Sequence, residues 1–174
     1  NLTTTEITRG LKEALRIGIE HSTALASETD GYYGNPVIRI PFPPEIIEVR
    51  NKLTQIGLDK PVDDFVRSMN RAAERAAAEA LPVFAEAIRQ MTIDDARDIL
   101  MGDKHAATDY LKRATFEELQ ARYAPIVRES LDAVDATKHY TTVAGAYNSL
   151  PFVRKVETDL DEYVTRQALQ GLFT

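Results

Sequence analysis

The chain has 174 residues, 44% of them hydrophobic and 28% charged, with no cysteine and a formal net charge of −6. That length suits one domain able to bury about 70% of the surface its unfolded chain would expose. The acidic balance argues against nucleic acid, which is held by clustered Lys and Arg. The missing cysteine excludes disulfides, thiolate metal sites and a cysteine nucleophile. No apolar run approaches the roughly 20 residues that cross a bilayer.

Thr3 and Glu6 form a capping-box pattern opening a helix that ends near residue 27. Ile7, Leu11, Leu15, Ile19 and Ala26 mark its apolar face, and Gly10 and Gly18 predict close contact with another backbone. Residues 29–36 read as a turn-rich loop in which Gly31 and Gly34 take positive φ. A short extended segment is expected near 37–40, closed by Pro41, Pro43 and Pro44. Pro43 and Pro44 suit the first turn of a following helix, for which Gly57 is the stop.

The strongest pattern lies between Val62 and Met91, where Phe65, Val66, Met69, Ala72, Ala73, Ala76, Ala77, Ala80, Phe84, Ala87 and Ile88 recur at helical spacing. It predicts a long central helix over about 61–91, kinked near Pro82. Its alanine-rich middle invites close neighbours, and Phe65 and Phe84 fill the wider ends. Thr92 with Asp95 caps a short helix ending at Gly102, and another helix is expected over 103–113. Thr115 with Glu118 is read as the capping box of a further helix that tolerates Pro125. Two last helices, near 137–148 and 159–173, flank Leu150-Pro151-Phe152-Val153. The fold class is all-α, in a single domain over 1–174.

Several segments in order resemble the bacterial family called domain of unknown function 4197 (DUF4197). They are Gly31, Gly34-Asn35-Pro36 and Ile38-Arg39-Ile40-Pro41; Ser68-Met69-Asn70-Arg71-Ala72-Ala73-Glu74; Met91-Thr92 with Asp95-Ala96; and Ala106-Ala107-Thr108 with Tyr110. Towards the end follow Tyr147-Asn148, Pro151-Phe152-Val153, Asp159-Leu160-Asp161 with Tyr163-Val164, and Ala168-Leu169 before Gly171-Leu172-Phe173. The resemblance implies a Gram-negative protein of the periplasm or associated with the outer membrane, sometimes of lipoprotein type. It implies a signal peptide removed ahead of Asn1, and no known reaction. Similar proteins usually continue past the Gly-Leu-Phe into a charged helical tail.

Arg67, Arg71 and Arg75 stand four residues apart on one helix side, an anion-binding strip or a salt-bridged surface. Asn70 borders the apolar stripe and, with Arg71, Glu74 and Arg39, could form a buried polar network. Asp30 and Asn35 bring oxygen ligands from the loop without the acid spacing of a calcium hand. These six residues, Arg39, Asn70, Arg71, Glu74, Asp30 and Asn35, form the candidate ligand or partner site. No metal or cofactor is expected; Asp103, His105 and Asp109 come nearest to a metal set but lack a second His or Glu at ligand spacing. No catalytic motif is present. The sequence therefore points to a non-catalytic helical binding or interaction protein, with a protein or small-molecule partner in the cell envelope. The alternatives are a hydrolase-like enzyme built from Asp and one of His21, His105 or His139, and a small-molecule carrier with an apolar cavity beside the alanine stripe.

Overall fold

Eight α-helices follow one another in the computed structural model, which describes residues 3–133, 135–149 and 159–174. They are α1 (Thr4–Ser27), α2 (Ile47–Gln55), α3 (Asp59–Ala77), α4 (Ala80–Arg89), α5 (Ile93–Met101), α6 (Ala106–Ala133), α7 (Ala136–Asn148) and α8 (Leu160–Leu172). A short 3-10 turn, Pro44–Ile46, leads into α2. No strand occurs among the described residues. The expected Leu150–Val153 connection lies outside them.

Local chemistry sets several of the boundaries. At the start of α1, Glu6 N–H donates to Thr3 Oγ1 at 3.1 Å, while Thr3 N–H donates to Glu6 Oε2 at 2.8 Å. Thr92 and Asp95 repeat the arrangement at α5. Gly57 stops α2 with φ of 81°, so that Leu58 N–H reaches Leu53 O at 2.9 Å and Gly57 N–H reaches Thr54 O at 3.1 Å. Those two bonds satisfy carbonyls that the helix end would otherwise orphan.

The alanine stripe is the centre of the molecule. Ala72, Ala73, Ala76 and Ala77 are wholly buried, and α3 packs against α1, α6, α7 and α8. Phe65 fills one end against Phe42 and Tyr140, with ring centroids 5.7 and 5.6 Å away. Phe84 fills the other against Phe173 at 5.7 Å. The stripe does not, however, run as one helix. α3 ends at Ala77 and α4 begins at Ala80, across a turn at Ala78 and Glu79. Pro82 has no N–H for the Ala78 carbonyl, and its ring would strike it. Breaking the helix just upstream places Pro82 in the first turn of α4, where no donor is required.

Three further expectations are corrected. Residues 37–40 form no strand: Ile38 and Arg39 amides both turn back to Asn35 O, at 3.3 and 2.8 Å. Thr115 opens no helix, because α6 passes through it unbroken and its Oγ1 donates to Leu111 O at 2.5 Å. Gly10 and Gly18 touch nothing, since a Cβ at either would find open space within 4 Å. Their cost in α1 is therefore uncompensated. Gly10→Ala and Gly18→Ala are each expected to raise stability by about 0.5–1 kcal/mol, read as a higher urea midpoint.

Candidate functional site

Between α1 and α2 the chain runs along the outer side of α3 and is held there at two points by buried side chains. At the first, Glu74 Oε1 accepts the Asp30 amide at 2.7 Å. At the second, Asn70 faces Ile40 as a neighbouring strand would: its Oδ1 accepts the Ile40 N–H at 2.7 Å, and its Nδ2 donates to Ile40 O at 2.9 Å. The same Nδ2 donates to Val66 O at 2.8 Å, so both of its N–H donors are used and the side chain is wholly buried. Two tyrosines add ties to α8. Tyr32 Oη donates to Ala168 O at 2.6 Å, and Tyr163 Oη donates to Pro41 O at 2.7 Å.

The conformation of this strap differs from the expected one in an informative way. Neither Gly31 nor Gly34 has positive φ; Asp30 does, at 70°. Aspartate tolerates that region better than most residues, and here the turn aims its amide at Glu74 and its carboxylate at Arg71. Gly31 is needed for room, since a Cβ would lie 2.3 Å from Leu25 O. Asn35 shapes the next turn: its Oδ1 accepts the Val37 amide at 3.0 Å, and its backbone carbonyl takes the amides of Ile38 and Arg39.

The strap presents Tyr33 to three arginines. Arg39 Cζ stands 4.2 Å from the ring centroid, Arg71 Cζ 5.5 Å and Arg67 Cζ 5.6 Å. Contacts of this kind contribute about 0.5–1 kcal/mol at an exposed site. Arg71 is committed to acids, with its Nη1 donating to Asp30 Oδ1 at 2.8 Å and to Glu74 Oε1 at 2.7 Å. Arg39 and Arg67 form no ion pair with any described residue. Asp64 senses Arg67, but its carboxylate is hydrogen-bonded to Lys60 Nζ at 2.8 Å. The result is two guanidinium groups without an ion pair among the described residues, beside one aromatic ring, in a chain of net charge −6.

Six residues were expected to form one site, and they divide into two sets. Asn70 and Glu74 are buried anchors, with Asn35 as a turn-former and Asp30 as a link. Arg39 and Arg71 reach the surface, where Tyr33 and Arg67 complete the cluster. Arg39 takes no part in the Asn70 network, because the strap delivers its backbone neighbour Ile40 there and turns Arg39 towards Tyr33. The i, i+4 arginines signalled the basic strip, but nothing in the spacing of Tyr33 marked it as the hub.

Glu74 carries a pH signature. Burial pushes its carboxyl above the ordinary range, outweighing the Arg71 hydrogen bond and the Asp30 amide. A folded-state pKa above the unfolded one stabilises fully below the unfolded value, about 4.3, and is lost as pH rises through the folded value. Compared with Glu74→Gln, which cannot titrate, the native protein is expected to lose relative stability between about pH 4 and pH 7. Urea midpoints of both proteins at the two pH values measure it.

Elsewhere, one of the three histidines lies near a carboxylate: the Lys60 hydrogen bond holds the Asp64 carboxyl below the ordinary range, and His139 is close enough to add to that effect. His21 and His105 are exposed and His139 is half-buried. Asp103 Oδ1 accepts the His105 amide at 2.8 Å, and Asp103, His105 and Asp109 are all exposed. Among the described residues, no three His, Cys, Asp or Glu side chains are grouped so as to hold a metal ion. No helix of the described residues is long and apolar enough to cross a membrane. The alanines of the stripe are buried. A groove of about 460 Å³ lies instead between α6 and α8, lined by Phe116, Gln120, Arg128, Asp161, Thr165 and Leu169 among others.

No curated protein and no solved structure matches the chain significantly. The model of one family, described as a protein of unknown function (DUF4197), matches residues 1–174. That match takes in the strap, its two anchors on α3 and the arginines around Tyr33, and the chain belongs to the DUF4197 family.

Proposed function

We propose that the chain is a non-catalytic interaction protein of the Gram-negative envelope, periplasmic or associated with the outer membrane, which engages its partner through the face around Tyr33. The observation that supports this reading is the pair of arginines, Arg39 and Arg67, whose Cζ atoms stand 4.2 and 5.6 Å from the Tyr33 ring centroid and which form no ion pair with any described residue. Unpaired like charges held close together repel, so an anionic group brought by a partner would stabilise the face. The anchors beneath it pre-organise the strap, which reduces the ordering cost of binding. The envelope placement rests on the family resemblance, and osmotic-shock fractionation of cells making the whole gene product tests it.

Affinity capture from envelope extract tests the face. The native protein is expected to retain a partner that Arg39→Ala/Arg67→Ala loses, with no change in helicity. Equal capture by both proteins would sink the reading. A second reading, a small-molecule carrier, is favoured by the groove of about 460 Å³ between α6 and α8, a size within the usual ligand range. Native mass spectrometry of protein taken directly from cells would show retained ligand mass if it carries one.

A further inference from the structure

We infer that the group recognised at the Tyr33 face is a carboxylate on an acidic polypeptide segment; this deepens the interaction role proposed above and rests on it. A guanidinium is planar, and its N–H donors all lie at its edge in that one plane. Such an edge matches two coplanar acceptor oxygens. The local charge sets the valence. Arg39, Arg67, Arg71 and Lys60 against Asp30, Asp64 and Glu74 leave one net positive charge. A singly charged carboxylate balances it. A phosphomonoester, with charge near −2, would overshoot and stand beside the Asp30 and Glu74 carboxylates.

A membrane surface is the less suitable occupant. Anionic leaflets are read by clusters of about four to eight basic residues, whereas this chain carries net charge −6 and would meet the leaflet with its acidic surface as well. A peptide segment can approach the arginines alone. Val37, two residues before Arg39 and 73% exposed, offers an apolar contact for a residue beside the carboxylate.

The test follows the Nε–Hε signals of Arg39 and Arg67 by NMR in the whole protein. Its probes are a blocked, alanine-rich octapeptide with one central glutamate, the same peptide with glutamine, inorganic phosphate, and vesicles of phosphatidylglycerol and phosphatidylcholine in equal parts. The glutamate peptide is expected to shift both signals and those of Tyr33 saturably. The glutamine peptide, and the glutamate peptide on Arg39→Ala/Arg67→Ala, are each expected to bind at least about tenfold more weakly, as loss of a charge-assisted pair requires. Added salt should weaken the native complex. Equal binding of the glutamine peptide overturns the inference, as does phosphate binding about tenfold tighter than the glutamate peptide, or a response to vesicles alone. Arg39→Lys/Arg67→Lys keeps the charge but not the planar fork, and recovery of full affinity by it would also count against the geometry. Partner capture lost in the alanine variant while the peptide stays silent sinks the carboxylate alone. A peptide that binds while capture is unchanged sinks the interaction role and leaves the site.

Discussion

Asn70→Leu is expected to destabilise the protein by about 3–5 kcal/mol, lowering Tm by about 6–20 °C for a chain of this size. The side chain makes three buried hydrogen bonds, two of them to the N–H and C=O of Ile40, a residue with no exposure. Leucine has a similar volume, so the cost is chiefly electrostatic. It leaves a buried backbone donor and acceptor without partners, at about 1–3 kcal/mol each. Asn70→Asp sharpens the test, since it keeps an acceptor for the Ile40 amide but sets a carboxylate against the carbonyls of Ile40 and Val66. It is expected to recover stability at acidic pH, where a protonated carboxyl can again donate. Thermal unfolding and amide exchange at Ile40 measure both effects. A Leu variant within about 0.5 kcal/mol of the native protein, the range of neutral surface changes, would show that Asn70 does not hold the strap.

Why Asn70 could be singled out from sequence, and Tyr33 could not, follows from where their information lies. Asn70 sits between Met69 and Ala72–Ala73 at the edge of a helical apolar stripe, so periodicity alone places a polar group at a buried position. Burial then demands partners, and a network is foreseeable. The sequence suggests Arg39 as its partner, whereas the structure supplies the backbone of Ile40, because which residue a loop brings to a helix is a tertiary fact. Tyr33 lies in a segment with no periodicity. Its environment arises only when the Asp30 and Ile40 anchors lay the strap over α3 and align it with Arg67 and Arg71.

The helix boundaries divide in the same way. Capping boxes at Thr3 and Thr92 could be read because both halves of each motif are local. Thr115 and Glu118 have the same spacing, yet α6 runs through them, since Leu111, Leu119 and Tyr123 bury a face continuous across Thr115. Packing over a 28-residue helix outweighs a single cap of about 1 kcal/mol. Pro82 was legible as a disturbance. Whether it kinks or breaks a helix depends on whether the chain gains by turning, and here α4 turns to pack on α1 and α6.

The strap also depends on its seat against α1, and Gly31→Ala tests that contact. A Cβ on Gly31 would stand 2.3 Å from Leu25 O and 2.4 Å from Ala26 O. Both are backbone atoms in the last turns of α1, so no rotamer change relieves the clash. Gly31 itself is outside the left-handed region, and the penalty is therefore steric rather than conformational. Relief requires fraying the end of α1 or lifting the strap, and lifting it draws the Asp30 amide from Glu74, now 2.7 Å away. The expected cost is about 2–4 kcal/mol. Gly10→Ala, made in open space on the same helix, is expected to change stability in the opposite direction. Because Asp30 also positions Arg71, Gly31→Ala should broaden the Arg71 and Tyr33 NMR signals in the folded protein, whereas Gly10→Ala leaves them unchanged. If the two glycine variants unfold at the same urea midpoint, the strap is not seated on the end of α1, and the arginine cluster lacks the rigid support on which the proposed recognition of an anion rests.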